Sequence, residues 1–64
     1  MNRAFLLLRA KAARLRAQAD RSEADSDDIM GAVDSASMRR ASAVRHDIQA
    51  KIFQDKADKE FPDG

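Results

Sequence analysis

The sequence predicts an all-α protein, an antiparallel helical hairpin completed by self-association into a helical bundle, and three observations carry the prediction. Residues 3–21 are an Ala, Leu and Arg segment without Gly or Pro, drawn mostly from the strongest helix formers. Residues 27–60 repeat apolar side chains at helical spacing. The stretch from Asp20 to Asp28 between them is acidic and rich in capping residues, and it reads as a turn over about 22–26.

The first helix carries two apolar stripes. Met1, Phe5, Leu8, Ala12, Leu15 and Ala19 keep three-and-four spacing, while Leu6, Ala10, Ala13 and Ala17 form a narrower stripe on roughly the opposite side. The stripe with Leu8 and Leu15 has the larger side chains and is expected to be the main buried seam. The stripe with Ala13 and Ala17 is expected to admit a further helix at close range, as in a bundle.

In the turn, Ser26 is the expected N-cap of the second helix, with Asp27 and Asp28 at its positive end. Gly31 is the one weak position near the start of that helix. Along it Ile29, Val33, Ala36, Arg40, Ala43, Asp47 and Ala50 keep one spacing, and Met30, Ala41, Val44, Ile48 and Ile52 define a neighbouring stripe. The buried face is expected between the two. Asp47 with Lys51 is an acid-before-base pair at helical spacing. Phe53, Ala57 and Phe61 form a C-terminal patch, and because Phe61 precedes Pro62 the helix should stop near Glu60, leaving 61–64 as a short flexible tail. A helix of about 19 residues beside one of about 34 leaves an overhang bearing Ile48, Ile52, Phe53 and Phe61.

Sixty-four residues make a single small domain, a size at which a lone core is marginal. Thirteen of the 28 hydrophobic residues are alanine and there is no cysteine, so neither bulk nor disulfides make up the deficit. A partner is the remedy. The candidate interface is therefore Phe5, Leu8, Leu15, Ala13, Ala17, Val44, Ile48, Ile52 and Phe53.

Net charge is only +1, but it is unevenly placed. Residues 1–19 hold five Lys/Arg and no acid, and residues 20–36 hold six acids against Arg21 alone. The candidate phosphate-binding residues are Arg9, Arg14, Arg16 and Arg21, which run between the apolar stripes. No apolar run has the length of a membrane span. The expected location is cytoplasmic.

Catalytic chemistry finds little to work with. His46 is the single histidine, its i±4 neighbours are Ser42 and Ala50, and no carboxylate orients it, so a solvent-facing position is expected. Starting from Asp25, a calcium loop would need an acid or amide at 29, Gly at 30 and Glu at 36, where the chain has Ile29, Met30 and Ala36. Arg39-Arg40-Ala41-Ser42 has the form of a basophilic kinase site, and Ser42 is read as an ordinary surface residue. No catalytic residue, metal or cofactor is expected.

The layout is similar to that of small dimeric four-helix-bundle RNA modulators, an analogy with no residue motif behind it. The expected function is non-enzymatic and works by protein–protein contact, as a homo-oligomer or as an adaptor or inhibitor of a larger partner. The alternatives are a nucleic-acid-binding module using the basic strips of helix 1 and an amphipathic helix on an anionic membrane surface.

Overall fold

A computed structural model describes residues 2–62; Met1, Asp63 and Gly64, and with them one end of the expected seam and of the tail, lie outside the described residues. Two α-helices, α1 (Arg3–Ile29) and α2 (Val33–Glu60), pack side by side as an antiparallel hairpin of about 48 × 13 × 13 Å.

The expected turn at 22–26 is helix instead, and the chain reverses at Met30-Gly31-Ala32. Gly31 has φ +79°, the left-handed conformation that glycine adopts without steric cost. The amides of Gly31 and Ala32 donate to the carbonyls of Asp28 and Asp27 at 3.1 and 2.7 Å, the paired bonds that close a helix on a glycine. Two forces carry α1 through its weak helix formers. Ala24 continues the packed seam, fully buried, and the acids are met across the hairpin by Arg39 and Arg40. Helix propensity differences of a few tenths of a kcal/mol per residue do not outweigh that. Ser26 is thus interior to α1, and the N-cap at Ala32 makes no side-chain bond.

The end of α2 falls at Glu60 as expected, and Asn2 caps α1, its Oδ1 accepting from the Phe5 amide at 2.9 Å. With 27 and 28 residues the helices match in length, so the expected overhang does not exist. Arg3 ties the open end: its guanidinium donates to the Phe61 carbonyl at 2.9 Å and lies 3.4 Å from Asp58.

The seam is the narrow stripe. Arg3, Leu6, Ala10, Ala13, Ala17, Asp20, Ala24 and Asp27 alternate three and four residues apart along α1, facing Ala36, Arg39, Ala43, His46, Ala50, Phe53 and Ala57 on α2. Every buried residue of the described chain is an alanine except Leu6. This reverses the expected roles of the two stripes: Ala13 and Ala17 pack within the chain, while Leu8 and Leu15 are 66% and 56% exposed. On α2 the buried face likewise lies on the Arg39, His46 and Phe53 side of the alanines, not between them and Val44 and Ile48. The reason is steric. Alanine on both helices lets the axes approach along their whole length, and the long stripe has no matching small-residue groove to enter.

Candidate protein interface

The outer surfaces carry the large apolar side chains. On α1, Phe5, Leu8, Leu15 and Ile29 are exposed, and Leu8, Leu15 and Ile29 fall on the side turned away from α2. On α2, Val44, Ile48 and Ile52, spaced four apart, are more than half exposed. Six of the nine candidate interface residues therefore lie on two outer flanks. Ala13 and Ala17 belong to the seam, and Phe53 is half-buried beneath Arg9. Ile29 joins the α1 flank although its local context reads as the start of a second helix. Its signal is the seven-residue interval from Leu8 and Leu15 through Ser22.

The four candidate phosphate-binding arginines do not form one patch. Arg14 and Arg16 project roughly 200° apart around the helix. Arg14 donates to Gln54 at 3.2 Å and Arg21 pairs with Asp47 on one edge of the hairpin. Arg9 and Arg16 fall on the other edge, where the Arg9 guanidinium sits 5.9 Å from the Phe5 ring centroid and 5.6 Å from that of Phe53. Asp47 thus serves Arg21 across the hairpin, where spacing alone pairs it with Lys51 of its own helix.

At the turn, Asp27 Oδ2 accepts from Ser35 Oγ at 2.7 Å and from Arg39 Nε at 3.0 Å. Glu23 also pairs with Arg39, and Arg40 bridges Asp25 and Asp28. Hydrogen bonding from Arg40, reinforced by its charge, holds the Asp28 carboxyl below its ordinary value of 3.8 despite opposing desolvation. A carboxyl lowered by folding stabilises above that ordinary value and loses the contribution as pH falls through its folded value. Asp28→Asn should therefore lose less stability than the parent between about pH 5 and about pH 2, as followed by urea midpoints. Both groups are solvent-exposed, so the difference should be small and shrink with salt.

His46 departs from its expected solvent-facing position. It lies in the seam opposite Asp20, Nε2 to Oδ2 3.7 Å, midway along the run of alanines. Asp20 Oδ2 and His46 Nδ1 are buried without a hydrogen-bond partner. Only the cross-helix register brings the pair together, so inspection of the helix bearing His46 does not find it.

No group of three or more His, Cys, Asp or Glu suited to a metal occurs among the described residues. No helix among them is long and apolar enough to cross a membrane. Compared with known proteins, the chain matches no family model, no curated sequence and no solved structure.

Proposed function

We propose that this chain is a small non-enzymatic helical protein that acts through protein–protein contact, first of all with itself. One observation carries the reading: eight alanines and a single large side chain, Leu6, are buried in the hairpin, while Leu8, Leu15, Ile29, Ile48 and Ile52 are each more than half exposed. A monomer gains most by burying its largest apolar side chains, at about 25 cal/mol per Å² removed from water. A chain that does the opposite holds that gain for a second surface, and exposed apolar patches of this kind mark interaction sites.

The nucleic-acid reading ranks second because its arginines are divided between two edges and two of them are engaged by Gln54 and Asp47. Membrane binding has less support still, since the apolar flanks lie on different helices.

The test is association. The parent chain should sediment as an oligomer at micromolar concentration and melt at a temperature that rises with concentration. Replacing Leu8 and Leu15 together by Asp should shift it to monomer. A parent that is monomeric, with a concentration-independent melt, would refute the proposal. A double variant that keeps the parent's mass would place the contact on the α2 flank of Val44, Ile48 and Ile52 and leave self-association standing.

A further inference from the structure

The outer flank of α1 is a second heptad seam: Phe5, Leu8, Ala12, Leu15, Ala19, Ser22, Ser26 and Ile29 alternate three and four residues apart, as the inner seam does. The hairpin is also charged end for end. Its turn half, residues 17–49, holds seven acids against four arginines, and its open half, 3–16 with 50–60, holds eight Lys/Arg against three acids.

We propose that two copies pair through this outer seam with their α1 helices antiparallel about a twofold axis near Ala17, the turn of each beside the open end of the other. This rests on the self-association reading above and names its face, direction and register. The occupant is fixed by the charge. Antiparallel pairing sets each acidic turn half against a basic open half, whereas parallel pairing sets like against like at both ends.

The register follows from stacking the outer seam on itself. Phe5 lies opposite Ile29 of the second copy, and Leu15 opposite its Ala19, so the two bulky ends of the stripe cover each other; Leu8 and Ala12 meet Ser26 and Ser22. Along the flanks the same register brings Arg9 beside Glu23 of the second copy and Lys11 beside its Asp25. Glu23 and Asp25 each hold one arginine within the chain, and a carboxylate has acceptor sites for more than one donor. Arg16 meets its own copy near the axis. It is the single like-charge contact, at an exposed position open to water and salt. The product is a row of four helices, α2–α1–α1–α2.

The chain has no native cysteine, so single-cysteine variants and a short bis-maleimide report the geometry. Gln18 is exposed and flanks the axis. Gln18→Cys should cross-link to itself. Lys11→Cys should cross-link when mixed with Asp25→Cys and not with itself, because antiparallel pairing separates the two Lys11 positions by about 21 Å. Each variant is first checked for the parent's helicity and sedimentation. Self-cross-linking of Lys11→Cys would mean parallel pairing and overturn the proposal while leaving self-association intact. An oligomer in which none of these cross-links forms would mean that another face is used, with the same consequence. A monomeric parent would remove both this pairing and the reading beneath it.

Discussion

Ala13→Asp should abolish the hairpin. Ala13 is 1% exposed and stands in the seam among Ala10, Ala17 and the alanines of α2, and no polar or charged residue is buried among the described residues. An unpaired charge left in such a site costs roughly 3–5 kcal/mol, and the added volume has no space to enter. A chain of this size has a total stability of a few kcal/mol, so the variant should lose cooperative unfolding and most of its helical circular dichroism signal. Ser37→Asp is the control. It adds the same charge at an exposed position next to the fully buried Ala36 and should stay within about 0.5 kcal/mol of the parent. A variant at Ala13 that melts like the parent would mean that this stripe is not the intrachain seam.

Leu6→Ala should come next in size. Leu6 is the only fully buried large side chain of the described residues, and it closes the open end of the seam beside Arg3, whose bonds to Phe61 and Asp58 fasten the termini. Truncation removes the transfer free energy of the lost carbons and leaves a cavity, together about 2–5 kcal/mol. Urea titration at fixed concentration reads it as a lower midpoint with an unchanged slope. The same truncation at Leu8 should do little to the hairpin itself. Its effect belongs to association, so it should fade as the chain is diluted.

The contrast between Leu6 and Leu8 shows how far the sequence can be read. Helical periodicity marks both stripes of α1, the Pro62 stop and the hairpin, because those follow from spacing and local backbone chemistry. Which stripe faces α2 does not follow from spacing. The larger side chains suggest the core, whereas the fit of alanine against alanine along the length of the partner helix decides it. The reversal point is hidden for a related reason. The acidic residues at 20–28 are poor helix formers locally, and what keeps them helical is the burial of Ala24 against α2 together with Arg39 and Arg40, more than ten positions away. Gly31 carries the true signal and reads, from its neighbours alone, as a weak spot inside a helix. The Asp20–His46 pair needs both helices in register and lies beyond a reading of either alone.

The two outer flanks, one on α1 and one on α2, point away from each other, and this sets the valence of the molecule. A unit with one sticky side makes a closed pair, but a unit with two opposed sides is difunctional in the polymer chemist's sense and adds copies in a line without ever closing. The flanks are unequal. The stripe on α1 runs the length of the helix with complementary charge at its ends, whereas Val44, Ile48 and Ile52 cover only about two turns. Growth should then stop at the pair under dilute conditions and resume only when concentration compensates for the weaker side. Enlarging the α2 flank by a single apolar replacement, such as Ala41→Leu, would turn a chain terminator into a chain grower, and the hairpin from a dimer into the repeat of a ribbon.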